Sequence, residues 1–146
     1  MIARHKQYII FFGLLLIILF SFSHVIPQTN ESSLSSPAEK LTLVHAAMCE
    51  SIKDYSPINT AIIFSIEIGK ISCFISFDPV PEETSIYQEW FHMDKLSTKK
   101  KLILKPPRWS TFSSIQLREA DKGPWRVEIT DDEENILRTL RFSIVD

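Results

Sequence analysis

The chain has 146 residues, 45% of them apolar and 23% charged, with a formal net charge of −2. That composition suits one globular domain with an appendage, and it excludes wholesale disorder and the basic footprint of a nucleic-acid-binding protein. With only three glycines the chain builds neither a dinucleotide fingerprint nor a P-loop, so no cofactor is expected.

The chain opens with a targeting pattern. Arg4 and Lys6 precede Tyr8 to Ile26, an apolar run without charge. Ser21 and Ser23 are spaced like the small residues of a signal-peptidase site, which allows cleavage after Ser23. The rival reading is an uncleaved signal anchor, because residues 8–26 approach the roughly 20 residues a spanning helix needs. Either way the basic residues stay inside and the rest of the chain is exported. The expected partner is therefore the membrane through residues 8–26, with the C-terminal domain in the periplasm or outside a bacterial cell, or secreted after cleavage. Residues 27–40, rich in Ser with Pro and Glu, are too polar to fold and form a tether.

From residue 41 the apolar period is mostly two. Leu43 to Ser51 forms a first strand, although its start also suits a short helix. Ile62–Ile66, Lys70–Phe77, Thr84–Met93, Lys99–Lys105 and Trp109–Leu117 follow. In the next run Trp125, Val127 and Ile129 alternate with Arg126, Glu128 and Thr130. In the last run Leu140, Phe142 and Ile144 alternate with Arg141 and Ser143. Alternation of this kind is a half-buried strand, and the last two form a hairpin across an acidic turn. About seven closely spaced strands predict an all-β sandwich or barrel. The domain boundaries are thus 1–26, 27–40 and 41–146.

Two cysteines are present, Cys49 and Cys73, on different predicted strands. Outside the cytoplasm such a pair usually oxidises, and a structural disulfide would stabilise by about 3 kcal/mol. Two buried thiols are the alternative. A redox or metal role lacks a Cys-x-x-Cys or further ligands, and no metal site is expected.

These residues resemble a known bacterial family, the domain-of-unknown-function family 2914, from about Met48 to Val145. The resemblance is carried by Cys49 with Pro57, by Phe64, and by Ile71-Ser72-Cys73-Phe74. It continues through Trp90-Phe91, Arg108-Trp109-Ser110-Thr111-Phe112-Ser113-Ser114, and Gly123-Pro124-Trp125-Arg126-Val127. The family pattern often has a His two positions before the first Trp, where this chain has Gln88, and a Gly in the last turn, where it has Asn135. The resemblance implies a small exported or membrane-tethered β domain, an immunoglobulin-like sandwich; it supplies no function. Asn tolerates positive φ, so Asn135 can hold that turn.

Among candidate sites, the aromatic residues Trp90, Trp109 and Trp125 are either core or a platform for a sugar. Trp125 shares a face with Val127 and Ile129 and is expected in the core. Trp90 is ambiguous, because Phe91 and Met93 claim the opposite face. Trp109 follows Pro106-Pro107 at a strand end and is read first as closing one end of the core, its indole N–H finding a partner; the alternative is a partly exposed ligand contact with Arg108 and Trp90. Lys99, Lys100, Lys101 and Lys105 suit either an anionic partner or the protection of an edge strand. Asp131 to Glu134 lack the ligand spacing of a calcium loop. His92, near Glu89 and Asp94, is the best acid–base candidate, yet no nucleophile motif accompanies it. The expected role is a binding module for a protein or envelope polysaccharide, rather than an enzyme. A carbohydrate-binding module is the first alternative and a small hydrolase the second.

Overall fold

The computed structural model describes residues 39–146. The expected N-terminal helix and most of the tether lie outside these residues. Among the described residues no helix is long and apolar enough to cross a membrane.

The described residues form nine strands: β1 Leu43–Lys53, β2 Ser56–Thr60, β3 Ile63–Ser65, β4 Lys70–Phe77, β5 Thr84–His92, β6 Lys95–Leu104, β7 Trp109–Gln116, β8 Gly123–Thr130 and β9 Ile136–Val145. They form two sheets, one in the order β2-β1-β4-β7 and the other β3-β9-β8-β5-β6. The fold is an all-β sandwich, as the alternation implied, and eight of its strands coincide with the expected runs. The addition is β2; β3 falls within the expected run Ile62–Ile66, is only three residues long and pairs in parallel with β9. The start of β1 is strand, not helix.

The core is what the period of two requires. Ile71, Cys73, Ile75 and Phe77 of β4 face Ile86 and Trp90 of β5, Trp125, Val127 and Ile129 of β8, and Phe142 and Ile144 of β9. Phe142 is the aromatic hub. It stacks on Trp125 at 6.1 Å between centroids and meets Trp90 and Phe64 edge-on, each at 6.2 Å. Trp90 is therefore wholly buried. The competing apolar residue, Phe91, lies on the other face under the Arg126 guanidinium, 4.0 Å from its ring.

Two-residue turns with positive φ, Asp54-Tyr55 and Met93-Asp94, close the β1–β2 and β5–β6 hairpins. The β8–β9 turn is held by Asp131, whose carboxylate accepts from the backbone N–H groups of Glu133 and Asn135 and from the Asn135 side chain. Positive φ falls on Glu134 rather than Asn135, so Asn135 serves as a hydrogen-bond donor. Gly123, at φ +114, also lies under Met93, whose Cε is 2.9 Å from where a Cβ would stand.

Candidate functional site

Strand register separates the cysteines. Cys49 pairs with Ser72, and Cys73 pairs with Met48. An offset of one residue on paired strands puts the two side chains on opposite faces of the sheet. Both are buried free thiols, so the expected disulfide is absent. Cys73 belongs to the core cluster and Cys49 does not; the Cys49 thiol donates to the Ser72 carbonyl at 3.6 Å. Burial raises the pKa of both thiols, which keeps them protonated and unreactive.

Trp90, expected as a ligand contact, instead joins a polar network between the sheets. Its indole N–H donates to Ser113 Oγ at 3.1 Å. The Ser113 hydroxyl donates to the Gln88 side-chain oxygen, and the Gln88 amide donates to the Cys73 carbonyl at 3.1 Å. Gln88 is wholly buried. The position where the family pattern often has His is therefore a core tie in this chain, closed to solvent. The sequence hinted at this through the hydroxyl run after Trp109, but only register shows that Ser113 points inward.

His92, the acid–base candidate, stacks on Trp125 at 4.5 Å, and its Nε2 lies 2.9 Å from the Lys122 carbonyl oxygen. Among the described residues it forms no ion pair with a carboxylate. Among the described residues no cluster of His, Cys, Asp or Glu could hold a metal ion.

Trp109, read first as closing one end of the core, stands with Arg108 at the surface. Trp109 opens β7 opposite Phe77 and is 37% exposed. It lines a groove of about 530 Å³ with Arg108, Ser110, Ser76, Asp78, Val44 and Tyr55. Tyr55 is 83% exposed and was not foreseen. It sits eleven positions after Val44, and a straight strand would separate the two by ~35 Å. Their shared groove means that the chain between them does not run straight. β1 pairs with β4 up to Cys49, with a register shift between Leu43 and His45, and only with β2 beyond Cys49. The hairpin thus carries Tyr55 back to Trp109.

The groove floor is fixed by backbone. Asp78 N–H donates to Thr42 O at 3.0 Å, and Val80 N–H to Pro107 O at 2.7 Å, which joins the loops after β4 and before β7. The Asp78-Pro79 and Pro106-Pro107 bonds in these loops are cis. On the floor Ser110 Oγ donates to Ser76 Oγ at 3.0 Å. Among the described residues neither Arg108 nor Asp78 forms an ion pair. The arrangement offers two aromatic faces, two hydroxyls, one cation and one anion, a set that can stack on and hydrogen-bond a polar ligand.

The four lysines are edge residues, on or just after β6, the outer strand of its sheet. Lys99 is paired with Glu89 at 2.7 Å and lies over the Tyr87 ring.

A search of curated proteins gave no match. Among solved structures the chain is similar to part of a beta-glucosidase from Listeria innocua in complex with glucose. Identity is 8%, the match covers 73% of this chain, and the TM-score is 0.45. The chain spans 16% of that protein's length. Residues 83–144 match the model of a family described as "Protein of unknown function (DUF2914)". The match takes in Trp90-Phe91, the Arg108–Ser114 run and Gly123-Pro124-Trp125, and it leaves out Cys49 and Cys73. The likeness to the DUF2914 family is thus carried by residues 83–144, 62 of the 146.

Proposed function

We propose that this chain is an exported bacterial envelope protein, tethered to the inner membrane through residues 8–26, whose sandwich is an interaction module working through the Trp109 groove. Arg4 and Lys6 ahead of an apolar run support export with the sandwich in the periplasm or outside the cell; cleavage after Ser23 would release the same module. Strand order supports an immunoglobulin-like arrangement. β1, β4 and β7 stand where such a fold has strands A, B and E, and β6, β5, β8 and β9 where it has C′, C, F and G. Trp90 then occupies the place of the buried Trp of strand C, beside a strand that carries Cys73.

The observation that carries the reading is the contrast among the tryptophans. Trp90 and Trp125 are committed to the core, whereas Trp109 is open beside Tyr55, Arg108 and Asp78. The test is a pull-down from solubilised envelope with the full chain. Trp109→Ala and Tyr55→Ala are expected to lose the bound material while keeping the wild-type melting temperature within a few degrees. Retained capture by both variants would end the assignment.

A second reading, carbohydrate binding, is favoured by the pairing of Trp109 with the Ser76 and Ser110 hydroxyls, since an aromatic face with flanking hydroxyls suits a sugar ring. Capture that survives protease treatment of the envelope fraction would select it over a protein partner. No catalytic residue is assigned.

A further inference from the structure

We propose that the open edge of β7 accepts an acidic, extended peptide of a partner protein as an added strand. The inference rests on reading the domain as a binding module; it shares Arg108 and Ser110 with the groove and otherwise uses the open edge of β7.

β7 is the last strand of its sheet. The Leu117 N–H donates to Gly69 O at 2.9 Å, on the β4 side. Backbone groups alternate along a strand, so the odd-numbered residues of β7 point toward β4. Ser110, Phe112, Ser114 and Gln116 therefore turn their N–H and C=O groups to the open side. Edges like this are normally guarded by charge, by proline or by a bulge. The edge of the other sheet follows that rule, with Lys95, Lys99, Lys100 and Lys101 on β6. β7 reads Trp-Ser-Thr-Phe-Ser-Ser-Ile-Gln, with no charge and no proline, and its register with β4 is unbroken. Phe112, 46% exposed, stands beside the open row. In an immunoglobulin-like sandwich one further strand pads this edge. Here β6 reaches β7 through Lys105–Arg108 alone, and no strand fills the place among the described residues.

Charge names the occupant. Exposed Arg108 and Arg118 bracket the strand. Lys100 pairs with Gln88, a core residue, and so has inward parity at the edge of its sheet. It lines a cleft of about 410 Å³ with Ser114, Gln116 and Arg118. The one carboxylate in that cleft, Asp121, accepts from the Arg118 backbone N–H at 2.7 Å. Among the described residues Lys100, Arg108 and Arg118 form no ion pair. In a chain of net charge −2 this basic bracket is local. From Arg108 to Arg118 an extended chain runs ~33 Å, the reach of about ten residues. A peptide of that length with acidic residues near both ends would pair its main chain with β7 and its carboxylates with the bracket.

The probe is a fluorescein-labelled decapeptide of alternating Thr and Val with Glu near each end, titrated against the full chain in detergent and read by anisotropy. Controls are the same peptide with Lys for Glu, and one with proline at alternate positions, which cannot donate to the edge. Binding of the acidic peptide alone is expected, weakened at least tenfold by Arg118→Glu and by Lys100→Glu, and little changed by Tyr55→Ala, which removes a groove wall from the β1–β2 turn and leaves β7 untouched. The last arm separates this surface from the groove. The proposal is overturned if the acidic peptide does not bind, if the proline peptide binds equally, or if polyglucuronate displaces it with equal strength. Equal displacement would mark a site for anionic polysaccharide instead.

Discussion

Replacing Ser113 with alanine is expected to cost far more stability than its size suggests. Its hydroxyl both accepts from the Trp90 indole and donates to Gln88, and both partners are wholly buried. Alanine leaves one donor and one acceptor in the core with no protein partner. At ~1–3 kcal/mol for each of the two orphaned groups, the loss is about 2–6 kcal/mol. For a domain of this size that corresponds to roughly 10–30 °C in melting temperature. The control is Ser110→Ala, which deletes a hydroxyl of the outer face bonded only to Ser76 and is expected to cost less than ~1 kcal/mol. Urea titration followed by tryptophan fluorescence and far-UV circular dichroism measures both. A Ser113→Ala loss no larger than that of Ser110→Ala would refute the inter-sheet tie.

Three further outcomes follow from the same geometry. Trp125→Ala, which empties the stack on Phe142 and His92, is expected to cost ~3–5 kcal/mol, whereas Trp109→Ala costs below about 1 kcal/mol; paired urea titrations compare them. Neither cysteine of the native protein is expected to react with a disulfide reagent at pH 8, and both should react in urea, because burial raises their pKa values. Asp131 is held below its ordinary value of 3.8, chiefly by the Asn135 side-chain amide and then by the backbone N–H groups of Asn135 and Glu133. A lowered folded pKa gives stability that is present above about pH 4 and lost as pH falls through the folded value. Melting from pH 6 to pH 2.5 should therefore fall less steeply in Asp131→Asn than in the parent.

Where alternation was strict, the sequence disclosed the fold. Trp125 to Ile129 and Leu140 to Ile144 occupy the faces their spacing indicated. β2 escaped notice because Ser56-Pro57-Ile58-Asn59-Thr60 is short, polar and carries a proline, and its role is to line an edge. β1 hid its register. Ala46 and Ala47 are small on both faces, so nothing local told whether Cys49 and Cys73 would meet. Trp90 could not be assigned while Phe91 competed, because the shielding of Phe91 by Arg126 comes from a strand 35 residues away. Trp109 was legible as a strand-end residue after two prolines, but its neighbours were not. Tyr55 reaches it only because the chain from Val44 to Tyr55 does not run straight, and such a departure leaves no periodic trace.

The most direct test of the account is site-specific photo-crosslinking in intact cells. A photoreactive residue at position 55, on the groove, is compared with one at position 136, which is exposed on the other sheet. A discrete adduct with an envelope component from position 55, and none from position 136, is the expected result. Adducts with cytosolic proteins, or equal labelling from both positions, would contradict it.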